Sequence, residues 1–370
     1  MDAYLLVLFC SAITSYAATP AVLKLSHRLG AVDVPDDRKV HAVPTPTLGG
    51  IAIFLGFLVG FGLASVIGPF RGTFQWGWPP SEPVAVAIGA SVIFALGIID
   101  DVRGLAAPTK LAGQILAAGF VFLGGVRLQW FGLPPFGTLS LGASDSAVAT
   151  ILWIVVIVNA VNLIDGLDGL AAGITAIAAG TFFIYSFELS RGLALSEQIE
   201  QTAPLISIVV VGSALGFLRH NFNPAKIFMG DSGSMTLGFL LATATVVGVG
   251  RSSPANLLSQ SVIFYLPVLI PVIVLAIPIL DTTLAVVRRA RRGVDIFRAD
   301  KRHLHHRLLE IGHGHRQAVL IMYAWTAVIA GTGLALSFAP NPIFTLPFAA
   351  AAVAILLYTV LPRIARRGVG

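Results

Sequence analysis

The chain has 370 residues, of which 56% are apolar and only 11% charged, and its mean hydropathy is +0.86. A soluble domain carries about 25% charged residues, so this composition excludes a water-soluble fold and makes lipid the solvent. The net charge of +6 and isoelectric point near 9.8 do not imply nucleic acid, because loop-borne Lys and Arg are the ordinary signature of membrane topology, and the lone Cys10 can make no internal disulfide.

A membrane-crossing helix needs about 20 mostly apolar residues. Runs of that kind lie near 3–23, 49–69, 83–99, 111–126, 146–162, 169–189, 204–218, 234–250, 261–287, 318–337 and 343–361. They are continuous and rich in Gly and Ala, without the period-2 alternation of a barrel strand, so they predict helices. The expected fold is an all-α polytopic membrane protein, a single integral domain over 1–370 with about 11 transmembrane helices. Asp2 with no basic stretch before the first run argues for a retained anchor and against a cleaved signal.

Orientation follows from Lys and Arg, which accumulate in cytoplasmic loops. Alternate loops hold 20 of the 24, including nine between Arg288 and Arg316, whereas the opposite loops keep one each, at Arg71, Arg127, Arg191 and Arg251. The N-terminus is therefore expected outside and the C-terminus in the cytoplasm. On that assignment all eight His and the residues Asp100, Asp101, Asp165, Asp168 and Asp231 face the cytosol. Trp76-Gly-Trp-Pro-Pro80 falls on the outer side, where Trp serves as an interfacial anchor.

Taken along the chain, the polar segments raise specific chemistry. Asp100-Asp101 close one apolar run, and Lys110 begins the next, where it either snorkels to the interface or meets a phosphate. Asn159-Ala-Val-Asn162-Leu-Ile-Asp165-Gly-Leu-Asp168-Gly-Leu170 ends another run. On a helix, Asp165 and Asp168 share a face with Asn162 one turn earlier; equally, Asp168-Gly169 suits a turn or an N-cap. Asp231 follows in Phe228-Met-Gly-Asp-Ser-Gly-Ser234. Ionisable groups at such depth cost about 3 kcal/mol on insertion scales and mark wet, functional cavities. Carboxylates and amides are hard oxygen ligands, and Mg²⁺ takes one or two carboxylates beside water and substrate phosphates. Pro267, Pro271 and Pro278 can bend the ninth run, with Asp281 close behind. The inner loop Arg298-Ala-Asp-Lys-Arg302-His303-Leu-His305-His306-Arg307, with His313 and His315 beyond it, fits an anionic head group, a zinc ion or a phosphorylated substrate.

Together with Pro44-Thr-Pro-Thr-Leu-Gly-Gly50, these motifs resemble, in order and over about residues 33–310, those of the polyprenyl-phosphate N-acetylhexosamine-1-phosphate transferases. The resemblance implies transfer of a sugar 1-phosphate from a UDP-sugar to polyprenyl phosphate, giving a polyprenyl-diphospho-sugar and UMP. It implies Mg²⁺, with Mn²⁺ as a substitute, on Asp231 with Asn162 and Asp165. Asp100 and Asp101 correspond to acceptor-side acids, and Asp168 belongs to the same acidic set. Lys110 corresponds to a phosphate contact, and Asn221 and Phe228 to positions at the uracil. Arg302, His303, His305 and His306 lie over the diphosphate and sugar. His303-Leu-His-His306 is similar to the branch using UDP-GlcNAc and undecaprenyl phosphate at the cytoplasmic face of the cell membrane. The alternative branch uses UDP-MurNAc-pentapeptide, and a secondary transporter is the alternative of another class. Small-residue helix faces suit a homodimer.

Overall fold

The computed structural model describes residues 1–34, 43–133, 137–192, 201–249, 312–338 and 342–367. Its helices, in chain order, are α1 (Asp2–Leu29), α2 (Gly50–Val66), the single turn α3 (Gly68–Arg71), α4 (Glu82–Arg103), α5 (Ala107–Leu123), α6 (Ala143–Ile164), α7 (Leu170–Gly192), α8 (Thr202–Asn221), α9 (Gly230–Val249), α10 (His315–Phe338) and α11 (Leu346–Arg367). Long helices cover ten of the eleven apolar runs. The remaining run, 261–287, with its three Pro and Asp281, lies outside the described residues. By length and composition, α1, α4, α6, α7, α8 and α10 are able to cross a membrane.

Two short antiparallel ribbons depart from an all-α expectation. β1 (Val32–Asp33) pairs with β2 (Thr45–Pro46), and β3 (Trp130–Leu133) pairs with β4 (Gly137–Ser140). Both lie between helices, where backbone groups have no helical partner and pair across the connection instead.

The bundle is centred on α8 and α9. α9 packs on α4, α6, α8, α2 and α7, while α8 packs on α1, α7 and α2. Glycine makes these approaches close. A Cβ on Gly212 would lie 2.5 Å from Leu8 O, and one on Gly216 would overlap Ala12 O, so α8 meets the α1 backbone along a Gly-x-x-x-Gly face. Outside this centre, large apolar side chains such as Phe9, Ile13, Val148, Leu152 and Leu357 are exposed, as lipid-facing residues must be.

Candidate active site

Four helix ends converge at one end of the bundle: the C-termini of α4 and α6 and the N-termini of α5 and α9. The N-terminus of α9 is wedged in place by backbone. A Cβ on Gly50 would overlap the Gly233 amide, one on Gly97 would overlap Ser232, and one on Gly49 would lie 2.6 Å from Phe228 O. Gly49 N also donates to Phe228 O (2.9 Å), Gly50 N to Met229 O (2.8 Å), and Phe228 N to Pro46 O (2.8 Å). The Pro44 to Gly50 segment is thus a brace for the loop that leads into α9, which explains its paired glycines.

Asp101 supplies the cap that α9 lacks in its own sequence. Its Oδ1 accepts from Asp231 N (2.7 Å), and its Oδ2 accepts from Ser232 N (3.1 Å) and Ser232 Oγ (2.6 Å). A carboxylate at a helix N-terminus satisfies free N–H groups and opposes the dipole. Gly230 enters the helix at φ +69°, and a Cβ there would lie 2.6 Å from Asp101 Oδ1. Glycine is therefore required twice over at this position.

Held this way, Asp231 meets two partners. Lys110 Nζ donates to its Oδ2 (2.5 Å), and Asn162 Nδ2 donates to its Oδ1 (2.9 Å) and to Ser234 Oγ (2.9 Å). Lys110 also pairs with Asp100, whose other oxygen accepts from Leu105 N (2.6 Å). So Lys110 neither snorkels nor stands alone: it bridges two carboxylates carried by α4 and α9.

The turn after α6 corrects one sequence expectation. α6 ends at Ile164, Asp165 is its C-cap at φ −77° and ψ 54°, and α7 begins at Leu170, so Asp165 and Asp168 do not share a helical face. The alternative reading of Asp168-Gly169 as a turn holds, with Gly169 at φ +79°. Asp168 Oδ2 accepts from Asn223 Nδ2 (2.8 Å) and Ala225 N (3.0 Å), tying this turn to the loop before α9. Asn221 ties the same two segments, accepting from Gly169 N (3.1 Å) and donating to Ile227 O (2.9 Å), and is buried. Tyr323 of α10 donates to Gly169 O. Asp165 is different. Among the described residues its carboxylate has no hydrogen-bond or ion-pair partner, and burial raises its carboxyl well above the usual range, with Asp231, Asp101 and Asp168 adding to the effect.

The chain that builds this site is similar to known proteins. The glycosyl transferase family 4 model matches residues 83–249, which run from α4 through α9. The decaprenyl-phosphate N-acetylglucosaminephosphotransferase of Mycobacterium tuberculosis is 42% identical over 98% of this chain and 89% of its own length. The chain belongs to glycosyl transferase family 4. In Bacillus subtilis, a probable undecaprenyl-phosphate N-acetylglucosaminyl 1-phosphate transferase is 37% identical over 85% of this chain and 79% of its own. The undecaprenyl-phosphate alpha-N-acetylglucosaminyl 1-phosphate transferase of Salmonella typhi is 26% identical over 84% and 78%.

In this family 4 protein the matched segment contains Asp100, Asp101, Lys110, Asn162, Asp165, Asp168, Asn221, Phe228 and Asp231. Arg302, His303, His305 and His306 lie outside the described residues. Ser232 and Ser234, quoted only as part of a motif, prove to be working parts, one bonded to Asp101 and the other to Asn162. Gln114, which no motif flagged, lies beside Asn159. The groups that could serve a divalent cation are Asp231, Asp165, which has no partner among the described residues, and the Asn162 amide. No three His, Cys, Asp or Glu close on one point among the described residues, so the set does not form an all-protein cage. It fits an ion that keeps water and phosphate oxygens in its shell.

Proposed function

We propose that this membrane-integral protein transfers N-acetylglucosamine 1-phosphate from UDP-GlcNAc to a polyprenyl phosphate, releasing UMP, at the cytoplasmic end of its bundle. The observation that carries the reading is Lys110 bridging Asp100 and Asp231, with Asn162 on the other oxygen of Asp231. This ionic cluster stands where apolar helices end, so a lipid-anchored phosphate and a water-borne nucleotide reach the same atoms. The relatives named above support GlcNAc as the sugar and polyprenyl phosphate as the acceptor, and their names differ in prenyl length. The asymmetry of Lys and Arg supports the cytoplasmic face.

The chemistry asks little of a base. A phosphate monoester has a second pKa near 6, so the acceptor is mostly a dianion and its oxygen is already nucleophilic. It attacks the phosphorus that carries the sugar, in line with the bond to UMP; that bond breaks and UMP leaves with the electron pair. The barrier is the approach of two anions. Lys110 answers it by exchanging a carboxylate partner for a phosphate oxygen, while Asp100 keeps the ammonium aimed. Asp231, Asp165 and Asn162 would hold Mg²⁺, which when bound supplies charge neutralisation along the diphosphate. The engagement of both Asp101 oxygens at α9 supports Asp100 as the acid on the acceptor side. The family resemblance supports Arg302, His303, His305 and His306, which lie outside the described residues, as cationic groups for the diphosphate.

The test is a radiolabelled transfer assay with purified protein in detergent, polyprenyl phosphate, Mg²⁺ and either UDP-GlcNAc or UDP-MurNAc-pentapeptide, with Asp231→Asn alongside. Lipid product and UMP from UDP-GlcNAc alone, dependent on metal and lost in the variant, are expected. Product only from the pentapeptide donor would overturn the donor assignment. Positional isotope exchange in UDP-GlcNAc without acceptor would replace direct attack by a covalent phosphosugar on an Asp.

A further inference from the structure

One turn along each helix from the Lys110 cluster lies a second polar set. Gln114 follows Lys110 by four residues on α5, Met235 follows Asp231 by four on α9, and Asn159 precedes Asn162 by three on α6. Those spacings put each pair on one helical face, and all three steps lead away from the same end of the bundle. Asn159 Nδ2 donates to Gln114 Oε1 (2.6 Å) and to Val155 O (2.7 Å), and Gln114 Nε2 donates to Met235 Sδ (3.5 Å). Gln114 is only 1% exposed. A buried amide is costly unless paired, and here the pairing joins the same three helices that carry Lys110, Asn162 and Asp231.

We propose that the Gln114 and Asn159 amide pair is a positioning element for transfer, fixing the rotation of α5 against α6 and α9 and so holding Lys110 beside Asp231 and Asn162. The proposal rests on the transferase reading of that cluster. Neither amide touches substrate. Both act through the axial rotation of α5, which among the described residues is otherwise tied to its neighbouring helices by side-chain hydrogen bonds only at Lys110. A side-chain tip about 6 Å from a helix axis moves about 2 Å for a rotation of about 20°. A misplacement of about 1 Å near the chemistry costs up to about a hundredfold in rate.

The experiment compares Gln114→Leu, Asn159→Leu, the double Leu variant and the exchanged pair Gln114→Asn with Asn159→Gln, in the full chain with UDP-GlcNAc and polyprenyl phosphate. Each Leu variant is expected to lose about tenfold or more in kcat with KM for UDP-GlcNAc nearly unchanged. The double variant should be no worse than either single one, because both remove one shared bond, and the exchanged pair should recover most of the rate. Additive losses, an unrecovered exchanged pair or an unchanged kcat would overturn the proposal. If the unaltered protein makes no product, the transferase reading fails instead. The positioning role is then decided by dipolar EPR between labels at Thr109 and Leu163 with Cys10 replaced by Ser. Distances that broaden in the Leu variants and narrow again in the exchanged pair support it, and unchanged distances overturn it.

Discussion

Asp100 and Asp101 are neighbours in sequence with opposite duties, and the difference lies in what each carboxylate accepts. Asp101 spends both oxygens on the first turn of α9, whereas Asp100 gives one to Leu105 N and leaves the other on Lys110. Removing a helix cap costs about 0.5–2 kcal/mol. Asp101→Ala should therefore lower the melting temperature in detergent and weaken transfer in proportion to lost folded protein and a displaced Asp231. Asp100→Ala should leave the melting temperature near the parent value while transfer falls about a hundredfold, a typical contribution from one well-placed charge. Parallel melting curves and transfer rates decide between these duties, and equal loss of stability in both variants would remove the distinction. The sequence made the cluster itself legible, because charge at the end of an apolar run is costly enough to mark function. It could not separate Asp100 from Asp101, since the cap exists only after α4 and α9 have met. Asn221 and Asp168 show the same limit. Both read as site residues, and only the fold shows that both also tie the turn after α6 to the loop before α9.

Between elements, the close contacts are made by absent side chains. α8 presents Gly212 and Gly216 to the α1 backbone, and α2 presents Gly56 to the same helix, 2.8 Å from Ser11 O by the position its Cβ would take. In lipid there is no hydrophobic gain from joining two apolar helices, so packing area and close backbone approach hold them together. Gly216→Val would drive a branched side chain into the Ala12 carbonyl. Overpacking of this kind costs about 1–3 kcal/mol, and the backbone cannot swing aside as a side chain does. A marked fall in melting temperature and in the monodisperse fraction on size exclusion is expected. Gly62→Val, on α2 where nothing lies within 4 Å, is the control and should melt like the parent. The positions of ten helices were legible because lipid demands long continuous apolar runs. The β3–β4 ribbon was not, since pairing between two loop segments leaves no such run.

At the scale of the molecule, the position of the acidic cluster decides which compartment supplies the nucleotide. The ends of α4 and α6 and the starts of α5 and α9 share one end of the bundle, and the connections there carry Arg103, Lys110, Arg219 and Lys226. The other end carries Arg71 and Arg127 and the exposed Trp76 and Trp78. Each Lys or Arg held near an anionic cytoplasmic leaflet contributes about 1 kcal/mol, so the imbalance predicts one orientation, with the cluster inside. With Cys10 replaced by Ser, a cysteine at Gly77, which is exposed in the connection between α3 and α4, should react with a membrane-impermeant maleimide in intact cells. A cysteine at Thr109, exposed beside Lys110, should react only after permeabilisation. The reverse pattern would put the five carboxylates on the outer face, away from cytosolic UDP-sugar, and would remove the donor from reach of Lys110. Labelling at both positions without permeabilisation would break the assumption that the cluster sits at one sealed face. The paired result is therefore a test of the reaction as well as of the topology.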